Sequence, residues 1–130
     1  MDVTQEMVEG MAPYVKTLGV KFVRLEPHET VAELEGGHAV STIGGGMHGG
    51  ALMALADMTA TVCSVLNAGS VTTTADATSH FLRPLTGTAR ATARPLRVGR
   101  RLVVVVVDVT DADGALCLHV VQTQAVVESR

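Results

Sequence analysis

The stretch that decides the fold is GGGMHGGALMALADMTATVCSVL, at residues 44–66. Its glycines end where a long apolar segment begins, and this pattern predicts a helix from about His48 to Asn67, with Gly69 in the stop signal. The first N–H groups of a helix have no partner inside it, so they can donate to a negative oxygen. Asp57 lies two turns further on in apolar surroundings, where a carboxylate is costly unless it is used or paired. The helix start and this acid are the first indication of a reactive site.

The composition limits the partners that the protein can have. The 130 residues predict one domain, and a hydrophobic share of 47% with only 2% aromatics predicts a core of Val, Leu, Ala and Met. One Tyr and two Phe cannot form a stacking platform for bases, and a net charge of -3 does not attract a polyanion. We therefore expect no nucleic-acid partner.

The cysteines and the N-terminal residues favour a reducing, cytoplasmic location. Cys63 and Cys117 lie in apolar runs without metal-ligand spacing, which predicts buried free thiols. The first residues carry acids and lack a signal pattern, and no apolar run reaches the roughly 18 residues of a membrane span. The histidines are scattered. We expect no membrane partner, no metal and no cofactor.

The rest of the sequence predicts one short helix and six strands. Thr4 caps a helix that runs to about Val15 and is bent or ended by Pro13. Alternating or Val-rich runs predict strands at 18–26, 30–34, 71–82, 88–96, 102–110 and 116–127, with a loop over 35–47. Short links between the last four strands predict an antiparallel meander.

Five consecutive valines, Val103–Val107, indicate that the protein is an oligomer. An antiparallel strand with one wet face alternates polar and apolar residues, and this strand does not, so both of its faces should be covered. The helix covers one face, and a second copy packed sheet to sheet covers the other. We expect a homo-oligomer; dimer and tetramer both stay open, and the valines favour a dimer of dimers.

This order of elements resembles the hotdog fold, an α+β fold in which a curved antiparallel sheet wraps around one long central helix. The motif His48-Gly49-Gly50 followed by Leu55-Ala56-Asp57 resembles the acyl-CoA thioesterases of that fold, most closely the phenylacetyl-CoA thioesterase family. Phe81-Leu82-Arg83-Pro84 extends the resemblance along the chain. It implies a single domain over residues 1–130 that hydrolyses a CoA thioester, with an aryl-acetyl or medium-chain acyl group as substrate.

The resemblance also implies roles for individual residues. The N–H of Gly49 polarises the thioester carbonyl, Asp57 acts as general base or nucleophile, and His48 orders the loop. Thr74 falls where the family often has a hydroxyl that positions the attacking water. A structural interpretation stays open for Asp57, which Thr61 or the backbone could satisfy, and for Thr74, which could simply form a strand. It also stays open for His48, which could be only a helix-start residue or a satisfied core histidine.

Further residues are expected to bind the substrate. They are Thr42, Gly50, Asp76, Arg83, Arg97 and Arg100. The arginines lie at strand ends and turns, where they could meet the phosphates of coenzyme A or remain solvated. Thr42 stands where many family members carry Asn, and a hydroxyl lacks the amide N–H donors.

The spacing of the two central residues adds a constraint. Gly49 and Asp57 are eight positions apart, or about 12 Å along a helix. One carbonyl cannot contact both on one helix, so the site should combine Gly49 of one subunit with Asp57 of another.

Two other functions stay open. A hotdog dehydratase or hydratase acting on acyl thioesters needs a His paired with an acid, and His48 is the candidate. A non-catalytic acyl-CoA-binding protein would bind the ester without turnover.

Overall fold

The long helix is accompanied by two short helices and six strands in residues 2–127, the part of the chain that the computed structural model describes. The elements are α1 Gln5–Met11, α2 Pro13–Leu18, β1 Lys21–Glu26, β2 Glu29–Leu34, a short 3-10 helix His38–Val40, α3 Gly49–Ala68, β3 Thr72–Phe81, β4 Ala89–Val98, β5 Leu102–Thr110 and β6 Leu116–Val126. All six strands form one antiparallel sheet in the order β1-β2-β4-β5-β6-β3. This sheet packs on α3, which confirms the predicted hotdog fold.

The predicted four-strand meander is wrong for its first strand. Strands β4, β5 and β6 follow one another in the sheet, but β3 pairs with β6 at the edge, and β4 pairs with β2. The link over residues 82–88 crosses the end of the sheet to make this possible. It is held by Leu82 N–H, which donates to the Cys117 carbonyl at 2.8 Å, and by the Leu85 carbonyl, which accepts from Met47 N–H at 2.8 Å. A short link can therefore join strands that are not neighbours.

The N-terminal region also differs from its prediction. Thr4 caps α1 as expected, since its side chain accepts from Met7 N–H at 3.2 Å. Pro13 then begins a second helix, because proline is favoured at a first helical position. That helix includes Leu18 and ends at Gly19 in the left-handed conformation (φ 91°), so β1 begins only at Lys21. The predicted loop over 35–47 contains the turn of 3-10 helix.

Helix α3 has the ends that the sequence predicts to within one residue. His48 is its N-cap, and Gly69 at φ 67° closes its C-terminal end by donating to the Val65 carbonyl at 2.9 Å. By length and mean hydropathy (20 residues, 1.5) α3 is a candidate membrane span, contrary to the expectation that no stretch is long enough. In this fold it is the central helix, and one of its sides packs against the sheet.

Small and β-branched side chains form the contact between α3 and the sheet. Ala89, Ala91 and Ala93 of β4 are fully buried, as are Val103, Val105, Val107 and Val109 of β5. The valine run is therefore split between the two faces of the sheet. On the outer face Val106 is only 8% exposed within the single chain, so neighbouring strands already shield part of that face. The predicted tetramer stays a prediction.

The two cysteines are free and buried, as predicted. Burial raises the pKa of the Cys63 thiol and of the Cys117 thiol, because a low-dielectric interior disfavours the thiolate. Neither thiol is presented as a reactive group.

The C-terminal cap of α3 can be tested by comparing alanine substitutions at Gly69, in the cap, and at Gly10, in α1. Gly69→Ala is expected to lower the free energy of unfolding by about 1 kcal/mol, because the left-handed conformation is strained for an L side chain. Gly10→Ala is the control with the opposite sign. Gly10 lies inside α1 with no atom near an added methyl group, so alanine should stabilise the protein by about 0.5 kcal/mol. Urea unfolding measures both changes, and equal effects would contradict the assignment of Gly69 as a cap.

Candidate active site

His48 fixes the start of α3 with its own side chain. Its Nδ1 accepts from Gly50 N–H at 2.8 Å, while its carbonyl accepts from Ala51 and Leu52 N–H at 2.9 and 3.0 Å. Its N–H donates to the Val40 carbonyl at 2.7 Å, which ties the helix start to the 3-10 helix. With Nδ1 as acceptor, the neutral ring carries its hydrogen on Nε2. His48 thus orders the loop and the first turn, the arrangement expected for an N-cap.

The N–H of Gly49 is the free donor at this helix start. Gly50 N–H donates to His48 Nδ1, but Gly49 N–H donates to no acceptor among residues 2–127. A Cβ built on Gly49 would lie 3.3 Å from the Phe81 ring, so glycine leaves space between the helix start and that ring. The positive end of α3 adds to the attraction of this N–H for a negative oxygen. The predicted substrate contact of Gly50 has to be made without its N–H.

Asp57 is anchored by two side chains from the sheet. Its Oδ1 accepts from the Thr74 hydroxyl at 2.8 Å and from Gln122 Nε2 at 2.8 Å. No donor among the described residues bonds to its Oδ2. Asp57 is half-buried on the side of α3 that faces β3 and β6. The geometry thus brings together Asp57 and Thr74, two of the residues proposed from the sequence, within one chain.

A β-bulge separates Thr74 from Asp76. In the pairing of β3 with β6, Thr74 lies opposite Gln124 and Asp76 lies opposite Thr123, so Ala75 is the extra residue. Opposed residues share a face of the sheet, and successive residues of β6 alternate between faces. Since Gln122 and Gln124 face α3, Thr123 and Asp76 face away from it. The expectation that Asp76 joins Asp57 at the site is therefore not supported by the geometry.

The predicted substrate-binding residues lie in different places. Arg83 follows β3 near the start of α3, where its N–H donates to the Cys117 carbonyl at 3.4 Å. Arg97 and Arg100 flank the turn between β4 and β5, which lies beside the C-terminal end of β6 and thus at the other end of the sheet. Thr42 is exposed in a tight turn, where it bonds to Gly45 and Gly46 through its backbone. The chain therefore places one of these three arginines at the Gly49 end.

A groove leads away from the helix start. Its first part has a volume of about 350 Å³ and is lined by Tyr14, Leu18, Ala39, Val40, Ser41, His48, Gly50 and Ala51. Its second part, of about 480 Å³, shares Leu18, Ala39 and Val40 and continues along Gly19, Lys21, Glu33, Leu34, Glu35, Gly36, Gly37 and His38. The two parts form one surface path that begins beside His48. Among residues 2–127, no group of three or more His, Cys, Asp or Glu side chains could hold a metal ion.

Sequence reasoning missed two residues of the site, Gln122 and Gln124. Both are fully buried, and both belong to the hydrogen-bonded group around Asp57. A signal was present in the sequence, because they continue the alternation of Leu118 and Val120, the residues of β6 that face the core. Two amides at positions of the buried face require partners. They were missed because most residues of β6 are apolar and the strand was assigned as a whole.

Comparisons with known proteins agree with this fold. A model of the thioesterase superfamily matches residues 44–118. A protein of Saccharolobus solfataricus, provisionally named an esterase, is 31% identical over 114 residues, which cover 86% of this chain and 81% of that protein. The superfamily match spans more than half of the chain and includes α3, β3, β4 and β5.

Two solved structures have the same fold. A thioesterase from Haemophilus influenzae superposes with a TM-score of 0.89 at 24% identity, covering 98% of this chain and 93% of that chain. The Escherichia coli PaaI protein, from the phenylacetic acid degradation operon, gives a TM-score of 0.88 at 17% identity and covers 95% and 91%. At these identities the two structures bear on the fold. The superfamily match and the Saccharolobus solfataricus relative confirm the family predicted from the motifs: the chain belongs to the thioesterase superfamily and is a thioester hydrolase by class.

Proposed function

We propose that the protein is an acyl-CoA thioesterase in which Asp57 activates the attack and Gly49 N–H stabilises the oxyanion. The observation that carries the proposal is the state of Asp57. One carboxylate oxygen is held by Thr74 and Gln122, and the other has no donor among the described residues. A carboxylate with one fixed and one available oxygen suits a general base or a nucleophile.

Thioester hydrolysis passes through a tetrahedral intermediate with a negative oxygen. A preorganised backbone donor aimed at that oxygen contributes on the order of 3 kcal/mol to lowering the barrier. Gly49 N–H is such a donor, because His48 fixes the turn around it and the dipole of α3 points the same way. The hydratase alternative has less support, because Nδ1 of its candidate His48 already accepts from Gly50 N–H at the helix start.

We further propose that each site is shared between two copies of the chain. Gly49 and Asp57 lie on the same helix, about 12 Å apart along its axis, so one chain cannot present both to one carbonyl. The edge strand β3 supports a dimer, because within residues 2–127 this ten-residue strand pairs only with β6 and leaves its other edge free. Beside β3, the half-buried Ala54, Met58 and Val65 give α3 an apolar side for a partner to cover.

The groove that begins beside His48 supports a position for the acyl group. Its walls include Leu18 and Val40. Its charged residues are Lys21, Glu33 and Glu35, a balance that does not favour the phosphates of coenzyme A. We infer that the acyl group, aryl-acetyl or medium-chain, lies along this groove, and that Arg83 is the arginine best placed for the coenzyme. Such a substrate agrees with a cytoplasmic enzyme.

The role of Asp57 is tested by Asp57→Asn. We expect kcat for an acyl-CoA to fall by about 10²–10⁴-fold, because the amide cannot accept a proton from water or act as a nucleophile. Thiol release from a panel of acyl-CoA esters measures the effect. Asp113→Asn is the matched control in the exposed turn between β5 and β6, and it should stay within about twofold of the wild type. Equal rates for Asp57→Asn and the wild type would remove the proposal.

The role of Gly49 is tested by comparing proline with alanine at this position. Proline suits the first helical position, and His48 already has the extended backbone (ψ 136°) that a residue before proline prefers. Gly49→Pro removes only the donor, so kcat should fall by about 10²–10³-fold. Gly49→Ala keeps the N–H and meets only the exposed ring of Phe81, and we expect a loss of less than about tenfold. Similar losses for both variants would indicate a steric effect.

The shared site is tested by mixing Gly49→Pro chains with Asp57→Asn chains under conditions that exchange subunits. Each mixed dimer contains one site with both native residues. With random pairing, the mixture should recover about a quarter of the wild-type activity. If both residues served a site within one chain, the mixture would stay as inactive as its parents.

The position of the acyl group is tested by Ala39→Trp. Ala39 is exposed and lines both parts of the groove, so a large ring there should block it without disturbing the core. We expect kcat/KM to fall by about tenfold or more for medium-chain and aryl-acetyl esters, while acetyl-CoA hydrolysis stays within about twofold. Lys16→Trp, on the exposed surface of α2, controls for an added indole. A uniform loss across chain lengths would place the acyl group elsewhere.

A further inference from the structure

Two buried amides behind Asp57 are not explained by packing. Gln122 and Gln124 are both fully buried in β6, on the face where Leu118 and Val120 contribute to the core. Burying an amide costs free energy unless its donors and acceptors are all bonded, and apolar side chains of similar size would avoid that cost. Every buried side-chain nitrogen and oxygen among residues 2–127 does have a partner. Each side-chain nitrogen and oxygen of the pair therefore has a hydrogen-bond partner, and the direction of these bonds indicates the role of the two residues.

Four hydrogen bonds close a ring on Oδ1 of Asp57. Gln124 Nε2 donates to Thr74 Oγ1 at 2.8 Å, and Thr74 Oγ1 donates to Asp57 Oδ1 at 2.8 Å. On the other side, Gln124 Nε2 donates to Gln122 Oε1 at 2.6 Å, and Gln122 Nε2 donates to Asp57 Oδ1 at 2.8 Å. Both branches start at one amide and end at one carboxylate oxygen.

Gln124 fixes the direction of both donors without touching the carboxylate. Its own Oε1 accepts from the Thr72 hydroxyl at 3.1 Å, and a turned-over amide would place this oxygen against Gln122 Oε1, which now lies 2.6 Å from Gln124 Nε2. Because Thr74 Oγ1 receives a hydrogen from Gln124, the hydroxyl hydrogen of Thr74 is directed to Asp57. Because Gln122 Oε1 receives the other hydrogen, the Nε2 group of Gln122 faces Asp57. Thr61 Oγ1 lies 3.3 Å from Gln124 Nε2 and is the longer contact.

We propose that Gln122 and Gln124 are positioning residues that hold Oδ1 of Asp57 and so make Oδ2 the oxygen that reacts. This inference rests on the proposed function of Asp57. As a base, Oδ2 takes a proton from water while the water oxygen forms a bond to the thioester carbon. The C–S bond then breaks, and the departing sulfur recovers the proton from Oδ2, so that acid and thiol are released. A nucleophilic Asp57 would attack through the same oxygen, break the C–S bond to expel the thiolate and form a mixed anhydride. Water then hydrolyses the anhydride to the acid and Asp57, and a proton from that water completes the thiol.

The inference is tested with Gln122→Glu and the pH dependence of kcat/KM. A second carboxylate next to Oδ1 disfavours two negative charges, so the acidic limb of the profile should move up by about one pH unit. If the side chain at position 122 did not bond to Asp57, the limb would stay in place, even if the variant were less stable. An unmoved acidic limb therefore overturns the role of Gln122.

The role of Gln124 is tested with Gln124→Met and Thr72→Val. Methionine removes the origin of both branches, and we expect kcat to fall by about tenfold to 100-fold with KM nearly unchanged. Thr72→Val is the milder variant if Gln124→Met does not fold. It keeps the side-chain shape and frees only the orientation of Gln124, so a loss of about threefold to tenfold is expected. The control is Thr59→Val, which removes a buried hydroxyl that bonds to the Leu55 carbonyl on the same helix; its kcat should not change.

The outcomes separate this inference from the proposed function. If Asp57→Asn is inactive while Gln124→Met and Thr72→Val behave like Thr59→Val, the positioning role is wrong and the thioesterase proposal stands. If Asp57→Asn keeps its activity, the proposed function fails, whatever the glutamine variants do. If the acidic limb of the kcat/KM profile shifts in Gln122→Glu and kcat is low in Gln124→Met, the positioning role and the proposed function are both supported.

Discussion

The packing of α3 on the inner face of the sheet is the constraint on which the site depends. Fully buried alanines of β4 and valines of β5 form the surface under the helix, and small side chains let a helix approach a sheet closely. This contact holds the N-terminal end of α3 beside Phe81 and places Asp57 against β3 and β6. The free N–H of Gly49 and the anchored carboxylate are therefore both positioned by the hydrophobic core.

The same helix is the reason for proposing a site shared between two chains. A rigid α-helix cannot bring residues eight positions apart to one carbonyl, so the fold separates its best donor from its best acid. Within residues 2–127, no strand pairs with the outer edge of β3. In the proposed dimer, a second copy would cover that edge and supply the catalytic group that one chain lacks at each site.

The hydrogen-bonded side chains behind Asp57 show how an apolar core can hold a carboxylate in one orientation. Thr74, Gln122 and Gln124 satisfy one another, so the interior contains no unbonded amide among the described residues. Such a closed network restricts the motion of its side chains, because none of them can rotate without breaking a hydrogen bond. Burying two amides costs free energy, and in return the donors of Thr74 and Gln122 both bond to Oδ1 of Asp57, while Oδ2 has no donor among the described residues.

The sequence by itself determined the elements and the central motif. The caps at His48 and Gly69, the apolar period of α3, the Val-rich strands and the buried thiols are local patterns, and each depends on residues close together in the chain. The tertiary structure decided the edge position of β3, the bulge that turns Asp76 away from Thr74, and the contacts of Gln122 and Gln124 with Asp57. These depend on the register between β3 and β6, which are far apart in the sequence, and a shift of one residue exchanges the faces of a strand. Local patterns therefore predicted which residues could react, and long-range pairing selected those that meet.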